Sequence, residues 1–146
     1  MISRGWQPLG RVLVGLYRDG ALIEDIEGPN LVVSASRFIH AQLVGGSIIG
    51  NTIAQIGFGS NSSGAVFGNT NLSADAFYKA FDSISFPNPN QVAFGFSLGT
   101  TEANGLLLAE YGLMTASGAL YARRVRATPI LKDLSISLNA TWTISF

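Results

Sequence analysis

The chain has 146 residues, of which 47% are hydrophobic, so it can fold as one domain around a sizeable core. Nine Lys and Arg balance nine Asp and Glu, which argues against the net positive field that draws proteins to nucleic acids or acidic membranes. Only 12% of the residues are charged, against roughly 25% in soluble domains, which predicts that other protein covers part of the surface. Cysteine is absent, which excludes disulfides, thiolate metal sites and cysteine nucleophiles.

The first ten residues form a polar lead-in that contains Gly, Pro and one aromatic residue, Trp6. They lack the apolar segment of a signal peptide, and no run in the chain approaches the roughly 20 apolar residues that cross a bilayer. We therefore expect synthesis in the cytoplasm and a single domain spanning residues 1–146. Residues 1–10 are expected to be an extended arm, with Trp6 as a candidate interface residue.

A β-hairpin is predicted near the start, where Asp and Gly at 19–20 separate two apolar segments. This dipeptide favours the positive φ angles of a type I′ turn. A two-residue turn places Tyr17 opposite Leu22 and Leu16 opposite Ile23. Both faces of the hairpin then carry apolar pairs, so we expect part of it to be buried from two sides.

The residues Gly28-Pro29-Asn30 are expected to end the second strand, since proline cannot donate to a ladder. Ser34 then offers a helix N-cap, and residues 35–44 have the pattern of a helix that ends at two glycines. Its predicted buried stripe consists of Phe38, Ile39 and Leu43.

The middle of the chain predicts short strands separated by turns. We expect strands at 52–58, 84–86, 92–98, 106–114 and 119–127, a helical turn at 75–79 and a polar loop at about 59–74. A loop of that length in a compact domain usually has a function or a partner.

The last thirteen residues, 134–146, alternate between apolar and polar side chains without interruption. A period of two is the strand period, so this segment predicts a long strand with one buried face. Trp142, Ile144 and Phe146 are expected to face a hydrophobic interior. Six to eight strands with one early helix predict a mainly β fold, an antiparallel β-sandwich or flattened barrel with one short α-helix near residues 34–44.

The sequence offers little catalytic chemistry. His40 is the only histidine, so a multi-histidine site is impossible and a structural role is favoured over a triad. The Gly57-Phe58-Gly59 segment does not continue as a phosphate-binding loop, which favours a plain turn. Carboxylates such as Asp75 with Asp82, or Glu102 with Glu110, are typical glycosidase residues, but only their presence supports that use. We expect no enzyme activity, no metal and no cofactor.

Hairpin geometry predicts a contact between one pair of opposite charges. A symmetric loop at 115–118 places Glu110 directly opposite Arg123, where opposite charges fix strand register. This structural interpretation outweighs a catalytic one. Arg123, Arg124 and Arg126 form the one basic cluster in the sequence. Either a solvated sheet edge or a contact with an acidic patch of another subunit accounts for the cluster.

Several short motifs occur in a characteristic order. They are Asn30–Ser34 before the helix, Gly57–Gly59 at a strand end, Thr70–Leu72 in the polar loop, and the hairpin segments Glu110–Leu113 and Gly118–Ala122. Between about residues 30 and 127 the chain thereby resembles the N-terminal domain of bacteriophage tail-collar fibre proteins. The two hairpin segments are the most specific part of this resemblance.

The resemblance implies a non-enzymatic virion structural protein that assembles with itself, as a trimer or hexamer, and with other virion proteins. No repetitive shaft follows the domain in this sequence, which favours a tail, baseplate, collar or fibre-adaptor component over a whole fibre. A capsid decoration protein is one alternative, and a carbohydrate-binding or glycan-degrading module is another. Nucleic acid, membrane and small-molecule substrates are not expected as partners.

Overall fold

The computed structural model describes residues 7–146, which form one curled antiparallel sheet with a single short helix. The predicted mainly β fold is confirmed, and Trp6 lies outside the described residues. The elements are β1 Leu9–Arg18, β2 Ala21–Val32, α1 Ala35–Val44, β3 Ile53–Gly59, β4 Phe77–Ala80, β5 Ser83–Ser85, β6 Gln91–Leu98, β7 Leu107–Thr115, β8 Leu120–Leu131 and β9 Ile136–Ser145.

The strand order makes the sheet a half-barrel. The order is β4-β3-β7-β8-β2-β1-β9-β6-β5, so consecutive strands β4 and β5 occupy opposite edges. Only Phe81 and Asp82 connect them, and three Cα steps span at most about 11 Å. The two edges must therefore face each other. The Phe81 ring packs against Phe94 inside the curl, with ring centroids 4.8 Å apart.

The terminal strand lies between two full-length partners, β1 and β6. Its side chains Leu138, Trp142 and Ile144 are buried in the main core, as the alternation predicts. The expectation for Phe146 is wrong, because β9 ends at Ser145 and the Phe146 side chain stays 43% exposed. Leu134 precedes the strand and is exposed as well.

The hairpin of β1 and β2 has the predicted turn, whose two residues have φ angles of 52° and 79°. Tyr17 pairs with Leu22 as expected. The predicted pairing of Leu16 with Ile23 is wrong, because a bulge next to Tyr17 places Glu24 opposite Leu16. Leu22 and Ile23 are about half exposed, so the described chain does not bury this hairpin from two sides.

The predicted strand break at 28–30 is also wrong, since β2 continues through Pro29 to Val32. Pro29 lies opposite Arg11 in β1, whereas β8 pairs with β2 only from Leu31 onward. Because β8 does not pair with β2 at Pro29, the missing N–H of this proline on the β8 side costs no ladder hydrogen bond.

The helix has the predicted bounds and buries Ile39, while Leu43 is half-buried. Phe38 is exposed, contrary to expectation, because only one face of the helix meets the sheet and residue 38 lies about 100° from residue 39. The Ser34 side chain makes no capping hydrogen bond. Its backbone N–H instead donates to the carbonyl of Phe67, at 2.8 Å.

One end of the curled sheet, which we call the helix end, is covered by α1. The Ser117 N–H donates to the Gly50 carbonyl at 3.1 Å, which brings the β7–β8 turn against the segment before β3. The Phe146 N–H donates to the Asn90 carbonyl at 2.8 Å, which places the β5–β6 turn beside the end of β9. The His40 ring of α1 lies 5.9 Å from the Phe146 ring. These segments therefore share one end.

The opposite end, the hairpin end, carries the β1–β2 turn. Asp19 N–H donates to the Ser135 carbonyl there, at 2.8 Å. Lys132 is fully buried, and its Nζ donates to Asn104 Oδ1 at 2.8 Å and to the Thr100 carbonyl at 3.3 Å. These bonds hold the segment between β6 and β7 over this end of the core.

The predicted helical turn at 75–79 is absent. Instead, β4 pairs with β3, with Phe77 opposite Phe58 and Lys79 opposite Ile56. Residues 77–80 form a strand because they hydrogen-bond to the edge of β3, and this partner cannot be predicted from local propensity. Between β3 and β4 the residues 60–76 contain no helix or strand, and we call this segment the surface loop.

Candidate functional site

Glu110 and Arg123 form the predicted ion pair, but the predicted register is wrong, because the two residues are not directly opposite. The turn pairs Met114 with Leu120 and a bulge follows between Leu113 and Met114, so Gly112 lies opposite Arg123 and Val125 lies opposite Glu110. Arg123 therefore reaches Glu110 diagonally, with Nε 2.7 Å from Oε2, and both side chains are 0% exposed. Burying two charges is costly unless their remaining donors and acceptors are also satisfied.

The guanidinium of Arg123 uses all five of its N–H donors. Besides the bond to Glu110, Nη2 donates to the carbonyls of Asn61 and Ser63, at 3.1 and 3.0 Å. Nη1 donates to Asn69 Oδ1 at 3.1 Å and to the Gly64 carbonyl at 3.4 Å. Four of the five donors therefore hold the surface loop.

The carboxylate of Glu110 binds the same loop near both of its ends. Its Oε1 accepts from the backbone N–H of Ser73 at 2.7 Å and from that of Asn61 at 3.3 Å. The Ser73 hydroxyl also accepts from the N–H of Ser60, at 2.8 Å. Glu110 and Arg123, together with these partners, form what we call the loop anchor.

Glycines allow the loop to lie directly on the outer face of the sheet, the face turned away from the main core. Gly57 of β3 lies opposite Gly112 of β7, and the Leu72 side chain covers both. An added Cβ would meet Leu72 Cδ1 at 2.4 Å from Gly57 and at 2.9 Å from Gly112. At Gly59 it would lie 2.3 Å from Glu110 Oε1. The Gly57–Gly59 motif thus provides close approach for a loop.

The charges of the loop anchor are satisfied within the chain. Its two ionic groups are hydrogen-bonded to each other, to backbone atoms and to Asn69 Oδ1. What it does chemically is hold a 17-residue segment without regular structure in one conformation. Sequence reasoning identified the ion pair but missed the loop partners. Three glycines on neighbouring strands were the available signal.

The other two arginines of the predicted cluster bridge β8 to β2, where those strands pair at only two positions. Arg126 is buried and donates to Tyr111 Oη and to Glu24 Oε2, both at 2.9 Å. Arg124 donates to the Pro29 carbonyl. The three arginines of the cluster thus have partners within the chain, and the contact with an acidic patch of another subunit stays a prediction.

His40 has the structural surroundings that its position predicts. Its Nε2 lies 2.8 Å from Tyr121 Oη, and its ring contacts the Tyr121 ring edge-on. Burial lowers the pKa of His40 below its usual value of 6.5. Beside it lies an apolar cavity of about 140 Å³, lined by residues that include Ile39, Ile144 and Phe146.

A second concave feature crosses the outer face of β1, β9 and β6. This furrow has a volume of about 380 Å³ and is open to solvent. Gly15 and Gly95 contribute to its lining, and an added Cβ on Gly15 would touch the Tyr17 ring at 3.3 Å. The carboxylates of Asp25 and Asp82 also line it. We call this feature the outer furrow.

Within residues 7–146, no group of three or more His, Asp and Glu side chains is placed to share a metal ion. The one helix of this part of the chain is too short to span a bilayer. Comparisons with protein-family models, curated proteins and solved structures gave no match.

Proposed function

We propose that this chain is a non-enzymatic structural component of a bacteriophage virion, at a tail baseplate, collar or fibre attachment. One observation carries the proposal. Three of the motif segments on which the resemblance to tail-collar fibre domains rests meet where the surface loop lies on the sheet. Gly57–Gly59 and Gly112 make room for the loop, Leu72 covers Gly57 and Gly112, and Glu110 accepts hydrogen bonds from the loop. A set of separate sequence motifs with one shared structural task supports a common origin with such domains.

The character of the surface supports an assembly role. Large apolar side chains remain exposed at several places, among them Val44, Ile49 and Phe86. Exposed large apolar side chains on a protein with so few charges favour a subunit that binds other protein. The proposed partners are further copies of the chain, as a trimer or hexamer, and neighbouring virion proteins.

Two measurements test this function together. Light scattering should give the purified chain the mass of a closed oligomer, and a labelled antibody should bind purified phage particles at the tail. Label on the capsid would favour a decoration protein. A monomer that is absent from purified particles would overturn the proposal.

The outer furrow favours carbohydrate binding as a second candidate function. Tyr17 offers an aromatic ring beside the furrow lining, and Asp25 and Asp82 offer acceptors for sugar hydroxyls. The lining includes no Lys or Arg, so an uncharged sugar suits it better than an anionic one. Titration of ¹⁵N-labelled protein with neutral oligosaccharides tests this candidate. Saturable shifts around Tyr17 that are lost in Tyr17→Ala would support it, whereas unchanged spectra at millimolar sugar would exclude it.

A further inference from the structure

A cavity of about 140 Å³ lies between α1 and the inner face of the curled sheet, at the helix end. We call it the helix cavity. Its deep lining consists of buried side chains from the helix and from both halves of the sheet, namely Ile39 of α1, Tyr121 of β8, Phe94 of β6 and Ile144 of β9. The cavity therefore belongs to the core, at the point where the helix covers the open end of the curl.

Partly exposed side chains form the rim of the helix cavity. They are Leu43 of α1, Ile53 of β3 and Val92 of β6, together with Phe146, whose side chain is 43% exposed. The deep side chains, by contrast, are at most 4% exposed. A lining that passes from buried to partly exposed residues leads from the core to the surface. A small molecule can therefore enter without unfolding of the sheet.

Almost only apolar atoms face the helix cavity. Its two polar side chains, His40 and Tyr121, are hydrogen-bonded to each other, with Nε2 2.8 Å from Oη. A charged or strongly polar molecule would lose its hydration there without gaining hydrogen bonds, which is unfavourable. Water is a poor occupant for the same reason, since a buried water needs about two to four polar partners.

Size and ring geometry restrict the ligand further. Apolar cavities of about 150 Å³ bind single-ring hydrocarbons such as benzene. Aromatic side chains surround the helix cavity, and the His40 ring lies edge-on to the rings of Tyr121 and Phe146, with centroid distances of 5.4 and 5.9 Å. A ligand ring can make the same edge-to-face contacts.

We infer that the helix cavity is a binding site for a small, uncharged aromatic molecule of one ring. The volume sets the size of the ligand, the apolar lining excludes charge, and the surrounding rings favour an aromatic group. This site goes beyond the proposed virion function and does not depend on it.

Benzene is the probe that tests the helix cavity directly. In methyl-labelled protein it should cause saturable ¹H–¹³C shifts at the cavity residues Ile39, Ile53 and Ile144. Leu131 and Leu134, which are exposed near the hairpin end, should show only the small linear shifts of non-specific contact. The melting temperature should rise as benzene is added, because a ligand that binds only the folded chain stabilises it. Benzoate has the same ring with a charge and should cause neither effect.

Two matched substitutions locate the binding. Val92→Phe adds a ring to the cavity lining, whereas Ile49→Phe adds the same ring at a position that is 94% exposed. We expect benzene to bind at least about tenfold more weakly to Val92→Phe and with unchanged affinity to Ile49→Phe. Circular dichroism should show the wild-type fold in both variants. Leu43→Phe fills the cavity from the helix side, should Val92→Phe fail to fold.

A wild-type chain without saturable shifts at the three cavity isoleucines would overturn the inference. A folded Val92→Phe or Leu43→Phe that binds benzene as the wild type does would also overturn it, because the ligand would then lie elsewhere. Benzoate that binds as tightly as benzene would refute the stated ligand class. None of these results bears on the proposed virion function, which is tested on purified particles.

Discussion

Glu110 and Arg123 form an ion pair in which neither side chain is exposed, although their backbones are related diagonally across β7 and β8. Every further donor of the guanidinium and every further bond of the carboxylate goes to the surface loop. The pair therefore does more than fix strand register. It connects the hairpin of β7 and β8 to the surface loop, which is the longest segment without regular structure among the described residues.

Replacing Glu110 with Ala should destabilise the protein strongly, because it leaves the charge of Arg123 buried without its partner. We expect a loss of about 3 to 5 kcal/mol in the free energy of unfolding, measured with urea. The double change Glu110→Ala with Arg123→Ala should cost less than the sum of the single changes. The exposed pair of Arg11 and Glu27 is the control, and Glu27→Ala should change the stability by no more than about 0.5 kcal/mol. Equal effects at Glu110 and Glu27 would contradict the role of the anchor.

Replacing Gly57 with Ala should loosen the surface loop. The new Cβ would lie 2.4 Å from Leu72 Cδ1, so Leu72 must move off the sheet. We expect a cost of about 1 to 3 kcal/mol and faster proteolytic cleavage between residues 60 and 76. Gly68→Ala is the matched control within the loop, since a Cβ there meets nothing within 4 Å. Cleavage at the wild-type rate in Gly57→Ala would show that the glycines do not hold the loop.

Replacing Trp142 with Ala should cost about 3 to 5 kcal/mol, because a fully buried indole leaves a large cavity. It also removes the hydrogen bond from Nε1 to Asn30 Oδ1, which is 2.9 Å long. Thr141→Ala, on the exposed face of β9, should melt within a few degrees of the wild type. Deletion of residues 143–146 should also destabilise the protein, since it removes the buried Ile144. A truncated chain with the wild-type melting temperature would show that the end of β9 contributes nothing.

The elements that the sequence predicted well are those in which a single physical pattern dominates. Alternation placed Trp142 and Ile144 in the core, and the spacing between Ser34 and the two glycines predicted the bounds of α1. Phe146 was misplaced because β9 ends one residue earlier, at Ser145. Phe38 was misplaced because it lies on a face of α1 that does not meet the sheet.

Register and loop contacts could not be predicted, because they depend on partners that are distant in sequence. The turn between β7 and β8 and the bulge beside it together moved Arg123 from Glu110 to a position opposite Gly112, yet the arginine is long enough to keep the contact. The carbonyls that bind Arg123 lie about 60 residues earlier, and backbone carbonyls leave no trace in a sequence. Lys132 was missed for the same reason, since two of its three acceptors are backbone oxygens.

Stability should decrease below about pH 6.5 because of His40. Burial lowers the pKa of His40 in the folded chain, so the unfolded chain binds this proton at a higher pH. The contribution is complete above the usual value of 6.5 and is lost as the pH falls from there towards the folded-state pKa. The urea midpoint should therefore fall between about pH 7.5 and about pH 5.5, and His40→Gln should reduce that fall.

Glu102 affects the stability in a separate and lower pH range. A hydrogen bond from Lys79 holds the pKa of Glu102 below its usual value of 4.5, so its stabilisation is lost only as the pH falls below that value. If the urea midpoint of His40→Gln falls between about pH 7.5 and about pH 5.5 as much as that of the wild type, a group other than His40 causes the loss of stability in this range.

The most direct test of the proposed function is an electron cryo-microscopy map of the particle produced from the genome that encodes this chain. The account predicts symmetric copies at the tail, each with a nine-stranded curled sheet and the surface loop held against its outer face. A particle whose complete map and protein inventory contain no copy of the chain would contradict it.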